Sequence, residues 1–263
     1  MTSPPPKPVL LTGASGNLGR HLAATLAAEG WTLRLTDVAP FPDPLPERAT
    51  FTRCDLGQGV EVLRLAEGCG FIAHFGGASH DGFSFEEILN ATGRGTYHVY
   101  EAARRGGARV LFASSNHAIG FHERATALDD DCDLRPDSLY GLSKCWGELM
   151  AGLYWRKHGV ESVLVRIGSC FPEPADERML STWLSYDDLG RLVIAAGTAT
   201  DVGCDVIWGA SDNAQTFWRS DAREKIGWRP QDSADRWADR VRGKLSGDPI
   251  AERFQGGVYC ARG

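Results

Sequence analysis

Short apolar runs recur along the chain, separated by stretches in which apolar residues return every three or four positions. The runs at 9–13, 31–37, 50–54, 71–75, 109–113 and 163–167 predict strands. The periodic stretches at 17–29, 59–67 and 85–105, and a further one that carries Tyr140 and runs to about His158, predict helices. Gly30 closes the first helix, and Pro40, Pro42, Pro44 and Pro46 force a surface loop after the second strand. Gly93 and Gly95 weaken the middle of the long helix at 85–105. This alternation predicts an α/β fold, a doubly wound parallel sheet covered on both faces. After Gly168 the alternation weakens, leaving a helix near 187–197, a strand at 205–208 and short amphipathic pieces.

Composition narrows the class without choosing a function. The 263 residues are 43% hydrophobic, as in an ordinary globular protein of one large domain, or one with a small appendage. The net charge of −6 and the absence of a Lys/Arg block argue against nucleic acid as a partner. Seven scattered cysteines without C-x-x-C spacing read as incidental thiols in a reducing compartment, so a cytoplasmic location is expected. The proline-rich start lacks the apolar core of a signal peptide, and no apolar run is long enough to span a membrane.

The first motif lies between the first strand and the first helix. Thr12-Gly13-Ala14-Ser15-Gly16-Asn17-Leu18-Gly19 spaces its glycines as G-x-x-G-x-x-G. Such a loop turns tightly, lets backbone N–H groups approach a pyrophosphate, and lets the helix pack close to the sheet. Asp37 ends the second strand, where a carboxylate accepts hydrogen bonds from ribose hydroxyls and repels a 2′-phosphate, so NAD is expected over NADP. Arg34 stands too early in that strand to serve as a phosphate partner. The fold expected is therefore Rossmann-type. Residues 1–7 form a disordered stub, 8–168 the NAD-binding domain, and 169–263 a small substrate cap that completes the cleft without being independent.

Tyr140 and Lys144 are the second signal. On a helix, residues four apart share a face. A tyrosine ionises near 10, and an adjacent ammonium favours its phenolate; lowering that value by about 3 units takes about 4 kcal/mol. Such a pair can take a proton from a hydroxyl while a cofactor takes a hydride. From spacing alone, an ordinary amphipathic helix stays open as the alternative.

Taken together, the glycine loop, Asp37, Cys54-Asp55-Leu56, His74-Phe75-Gly76-Gly77, Ser114-Ser115 and Tyr140-x-x-x-Lys144 resemble the extended short-chain dehydrogenase/reductases over about residues 7–230. Stretches around Asn116, Trp146, Ser169, Arg178, Trp208 and Gln255 are similar to the uronate dehydrogenase group of that family. The resemblance implies NAD-dependent oxidation of D-galacturonate or D-glucuronate at C1 to an aldarolactone. It implies Ser115, Tyr140 and Lys144 as the catalytic set, with Ser115 rather than Ser114 at the family's spacing. Gly13, Gly16, Asn17, Leu18, Gly19, Asp37, Asp55, Leu56 and Gly76 would hold NAD together with Tyr140 and Lys144. Arg178 would bind the substrate carboxylate, and Ser79, Ser115, Asn116, His117 and Ser169 its hydroxyls. No metal is required. The partner implied is a small sugar acid, with no nucleic acid or membrane, and a homo-oligomer is left open.

One departure stands out. Thr92 occupies the place, three residues before Gly95, where extended members usually carry an asparagine. Trp183, Trp208, Trp218 and Trp228 read as packing residues, and Asp129-Asp130-Asp131 as a solvated loop. Rival readings are a sugar epimerase, a dehydratase or another aldose dehydrogenase of the same family, and, more remotely, a non-catalytic NAD-sensing regulator.

Overall fold

The computed structural model describes residues 5–262. Of the expected stub at 1–7, residues 1–4 lie outside the described residues. The strands are β1 (Val9–Thr12), β2 (Leu33–Asp37), β3 (Ala49–Arg53), β4 (Phe71–His74), β5 (Arg109–Ser115), β6 (Ser162–Ile167), β7 (Ser169–Cys170), β8 (Trp183–Leu184) and β9 (Cys204–Gly209). The helices are α1 (Asn17–Ala28), α2 (Gly59–Ala66), α3 (Phe85–Ile88), α4 (Gly95–Gly106), α5 (Leu139–His158), α6 (Met179–Thr182), α7 (Tyr186–Thr198), α8 (Ala238–Val241) and α9 (Pro249–Arg253).

Seven strands form one parallel sheet in the order β3-β2-β1-β4-β5-β6-β9. The order reverses between β1 and β4, so the loops leaving those two strands part and leave a crevice at their carboxyl ends. Alternate side chains go to opposite faces. Val9, Leu11, Phe71, Ala73, Leu111 and Val163 pack with α1 and α7. Leu10, Ile72, Val110, Phe112 and Leu164 pack with α2, α4 and α5. Both faces are apolar, which is why the strands read as continuous apolar runs.

The sheet layer continues beyond the expected boundary at Gly168. β9 pairs with β6 from Ser162↔Cys204 to Ile167↔Gly209, and α7 contributes Leu189, Leu192, Val193 and Ala196 to the core beside α1. Those two elements belong to the sheet. Of the short pieces around them, β7 and β8 form a separate two-stranded sheet, and α6 and α8 share a small core of Leu180, Trp183, Ala234 and Val241. Trp183, Trp208, Trp218 and Trp228 are all buried, Trp208 stacking on Trp218, as packing residues. Asp129 accepts hydrogen bonds from Arg219 and from the Ser220 hydroxyl.

The long helix expected at 85–105 is continuous in backbone conformation but changes its hydrogen-bond pattern in the stretch that holds Gly93. A π-helical turn, Leu89–Arg94, joins α3 to α4. At Gly95 a Cβ would lie 2.9 Å from Leu56 Cβ, so the glycine lets the helix approach that loop. Thr92 is buried within the π turn, and its hydroxyl accepts from Ala78 N (3.0 Å). A threonine in place of the usual asparagine thus anchors the chain just after β4.

Beneath the crevice lies a buried polar chain. His74 Nδ1 meets the Thr12 hydroxyl at 2.8 Å, and Nε2 meets that of Thr96 at 3.2 Å. Thr12 Oγ1 in turn accepts from Gly76 N (3.0 Å). Burial, with a smaller push from Lys144, lowers the His74 pKa from 6.5 to about 3, so the ring is neutral. The unfolded chain binds a proton there near pH 6.5 and the folded chain only near pH 3. Stability is therefore lost as pH falls through that window, by a few kcal/mol at most. His74→Asn keeps a polar group at the Nδ1 position and removes the titration. Its urea midpoint is expected to fall less steeply than that of the wild type from pH 6.5 to 4; equal slopes would contradict this account.

Candidate active site

Two adjoining clefts open at the carboxyl edge of the sheet, sharing Phe75, Ala78 and Ser79. The first, about 490 Å³, is lined by Gly13, Ser15, Gly16, Asp37, Asp55, Leu56, Gly76 and neighbours. Gly13 has φ 71°, and a Cβ there would lie 2.6 Å from Phe75 C. At Gly19 a Cβ would lie 2.1 Å from Gly13 O, so this glycine sets the close approach of α1 to its own loop. Gly16 differs. Its Cβ would meet nothing nearer than Gly13 O at 3.4 Å, so the missing side chain leaves room in the cleft rather than in the core. Asn17 and Gly19 line neither cleft, whereas Leu18 reaches the second.

Both Asp37 oxygens are held by the backbone. Oδ2 accepts from Ser15 N (3.0 Å) and Oδ1 from Ala39 N (3.1 Å). Each keeps a lone pair for a further donor, as a ribose diol requires. Asp55 Oδ1 accepts from Gly57 N (2.9 Å), and Asn90 Nδ2 donates to both Asp55 oxygens (3.3 and 3.2 Å). A glycine cradle at a helix start, with a fixed carboxylate opposite, fits a dinucleotide.

The second cleft, about 360 Å³, gathers Ser79, Ser115, Asn116, His117, Tyr140, Lys144, Ser169 and Arg178. Its floor is set by α5. The Ser138 hydroxyl caps the helix by accepting from Gly141 N (3.0 Å). A Cβ at Gly141 would lie 2.2 Å from His117 O, and one at Gly147 2.0 Å from Phe112 Cζ. The helix therefore lies against β5 and the loop after it, bringing Tyr140 to Ser115. Glu148 fastens the contact. It accepts from Arg166 Nε (3.1 Å) and Nη2 (2.9 Å) and from the Ser114 hydroxyl (2.5 Å).

Lys144 Nζ donates to Ala113 O (2.9 Å) and stands 5.4 Å from the centre of the Tyr140 ring. Burial lowers its pKa to about 8. Burial also dominates at Tyr140, pushing its pKa up to about 12; the Ser115 hydroxyl pulls down, while Tyr259 and Asp137 push up. The expected depression by Lys144 is absent: desolvation of the phenolate dominates, and the Ser115 hydroxyl is the group that opposes it.

Arg178 precedes α6 and lines the same cleft. Its Nε donates to Gln255 O (2.6 Å) and Nη1 to the Ser169 hydroxyl (3.4 Å). The hydrogen-bond network orients the Asn116 carboxamide so that Nδ2 donates to Ile167 O (3.2 Å) and Oδ1 accepts from Arg178 Nη2 (2.5 Å). Gly257, at φ 65°, makes room for the guanidinium, since a Cβ there would lie 2.9 Å from Arg178 Cδ. No carboxylate among the described residues pairs with Arg178. Burial lowers its pKa, with Asp176 and Asp137 opposing and Arg124 assisting.

Several residues that sequence reasoning missed also line this cleft or support it. Tyr259 stacks on His117 with ring centres 3.8 Å apart. Asp137 Oδ2 accepts from His117 Nδ1 (2.7 Å). Arg124 and Lys244 add cations to the wall, Arg124 being paired with Glu252. None belongs to a regular period or a spaced motif. The glycine pair Gly256-Gly257 was the one signal that the chain passes something bulky there.

The geometry agrees with the chain's relatives. Residues 9–197 match the NAD dependent epimerase/dehydratase family. The chain is 44% identical to the uronate dehydrogenase of Pseudomonas syringae pv. tomato, over all of this chain and 96% of that one. The crystal structure of a glucuronic acid dehydrogenase from Chromohalobacter salexigens superposes with a TM-score of 0.92 at 40% identity, covering 100% of this chain and 98% of that one. A Tyr-to-Ala mutant of the uronate dehydrogenase from Agrobacterium tumefaciens, complexed with NAD, superposes with a TM-score of 0.91 at 42% identity, covering 98% of each chain. The chain belongs to the NAD dependent epimerase/dehydratase family, and within it to the group that contains the uronate dehydrogenases.

Proposed function

We propose that the protein oxidises a hexuronic acid, D-galacturonate or D-glucuronate, at C1 with NAD and releases the aldarolactone. The observation that carries this reading is Arg178, an unpaired guanidinium on the wall of the cleft that also holds Tyr140, Lys144 and Ser115. Three of its five N–H groups serve Gln255, Ser169 and Asn116, which leaves one on each terminal nitrogen for a carboxylate, and a neutral hexose would leave the cation without counter-charge.

The reaction removes a hydride from C1 and a proton from its hydroxyl, and the C1–O bond becomes the lactone carbonyl. When bound, NAD supplies the hydride acceptor and a positive charge. Tyr140, once its phenolate is favoured by the positive charge that bound NAD would bring, receives the proton; Ser115 donates a hydrogen bond to the same oxygen and steadies its developing charge. Lys144, tied to Ala113 O, keeps an ammonium near the phenol ring and offers N–H donors to the nicotinamide ribose. Gly13, Gly16, Leu18, Asp37, Asp55, Leu56 and Gly76 hold the rest of the dinucleotide, with Asn17 and Gly19 shaping the loop. Ser79, Asn116, His117 and Ser169 serve the sugar hydroxyls. An epimerase would return the hydride and release no NADH.

The reading places the enzyme in the cytoplasm, supported by seven unpaired cysteines. Among the described residues no helix is long and apolar enough to cross a membrane. It also includes a second copy of the chain as partner. Leu139, Leu142, Trp146, Leu149 and Leu153 are exposed on the outer face of α5. Their alternating spacing of three and four is that of a helix–helix seam, and a two-fold axis would lay the same seam of another copy against it.

Tyr140→Phe is expected to lose turnover by about 10³-fold, within the usual range for a general base, while keeping its affinity for NAD. Turnover like that of the wild type would remove Tyr140 from the role of base. Arg178→Ala is expected to lower kcat/KM for uronates by about 100-fold, the scale of two charge-assisted hydrogen bonds, and to spare the weak oxidation of neutral aldoses. Equal losses on both substrates would remove the carboxylate clamp. By light scattering, the wild type is expected to be a dimer and the Leu142→Glu/Trp146→Glu variant a monomer. A monomeric wild type, or a variant of unchanged mass, would reject the α5 seam.

A further inference from the structure

We infer that Asp137 is a positioning residue: it holds His117 as a hydrogen-bond acceptor for the C2 hydroxyl of the sugar, the hydroxyl beside the reacting carbon. This rests on the uronate reading above.

The Asp137 side chain is fully buried. Two glycines from separate segments leave its place open. A Cβ at Gly120 would lie 1.9 Å from Asp137 Oδ2, and one at Gly256 2.0 Å from it. The carboxylate is also tied locally, Oδ1 accepting from the Ser138 hydroxyl at the start of α5 (2.9 Å). Its Oδ2 meets His117 Nδ1 at 2.7 Å. A carboxylate accepts and does not donate, so the shared proton sits on Nδ1 of the imidazole. Burial lowers the His117 pKa against the opposing pull of Asp137, which keeps the ring neutral. Nε2 is then left with a lone pair.

The ring is clamped in that orientation. Tyr259 stacks on one side at 3.8 Å, the Tyr140 ring meets it edge-on at 5.7 Å, and His117 N donates to the Ser115 hydroxyl (3.2 Å). Tyr140 and Ser115 take the C1 oxygen, so the hydroxyl within reach of the adjacent imidazole is the one on C2. A lone pair on His117 and a guanidinium on Arg178 also set which group of a uronate each receives. Its carboxylate is repelled by His117 Nε2 and attracted by Arg178.

The test combines nitrogen NMR of histidine-labelled protein with kinetics on a hexuronate and its 2-deoxy analogue. At pH 7 His117, assigned by loss of its signals in His117→Ala, is expected to carry its proton on Nδ1. Asp137→Asn is expected to give a mixture of tautomers, with melting temperature and NAD affinity close to those of the wild type. The wild type should prefer the hexuronate over the 2-deoxy analogue by about 10–100-fold in kcat/KM, the cost of one unmet buried hydrogen bond. That preference should fall about tenfold in Asp137→Asn and in His117→Ala, with no further loss in the double variant, because both act through one contact. A proton on Nε2 in the wild type, an unchanged preference in Asp137→Asn, or additive losses would overturn the proposal. Absence of NADH release from any uronate would instead reject the uronate reading, and the NMR would still decide the tautomer.

Discussion

The close contact between α5 and strand β5 governs the rest of the site. Gly141 and Gly147 let the helix come within backbone range of the His117 loop and of Phe112. Glu148 then ties it to Ser114 and Arg166, which are register partners on β5 and β6. A buried ion pair gives little net stability compared with apolar residues of like shape, but it is costly to break. Here its use is geometric. It fixes a long helix one turn below Lys144, so that Tyr140, Lys144 and Ser115 meet at the carboxyl edge of the sheet.

The same closeness shapes the electrostatics. A site dry enough to strengthen hydrogen bonds also penalises every charge in it. Burial pushes Tyr140 up to about 12 and lowers Lys144 to about 8. It lowers the pKa of Arg178, which has no carboxylate partner among the described residues, and keeps His117 and His74 neutral. The resting cleft is thus a set of groups whose charged forms are penalised by burial. An anionic substrate and a cationic cofactor relieve two of those costs, at Arg178 and at Tyr140.

Much of this was legible in the chain. The strands β1 to β6 announced themselves as apolar runs because both faces of a parallel sheet are covered. The glycines at 13, 16 and 19 marked the loop at the switch point because turn, cleft and helix packing each need a missing side chain. Gly93 and Gly95 marked the place where the long helix becomes a π turn. What stayed hidden depended on contacts distant in sequence. Nothing in 186–209 says that α7 and β9 return to the sheet, since short elements separated by irregular chain look alike in a cap or a core. Asp137 and Tyr259 gain meaning only beside His117, which is far from Tyr259 in the chain. The Tyr140 ionisation also escaped, because a spacing of four reports the presence of an ammonium and not the depth at which the phenol is buried.

The central claim is that a carboxylate at one end of the cleft and C1 at the other define the substrate. It is tested most directly by measuring net NADH formation from NAD with a hexuronate and with the hexose of the same ring configuration. The account predicts NADH equivalent to the uronate consumed, with kcat/KM for the hexose lower by about 100-fold, the scale of two charge-assisted hydrogen bonds. Equal rates on the two sugars, or uronate turnover without net NADH, would contradict it.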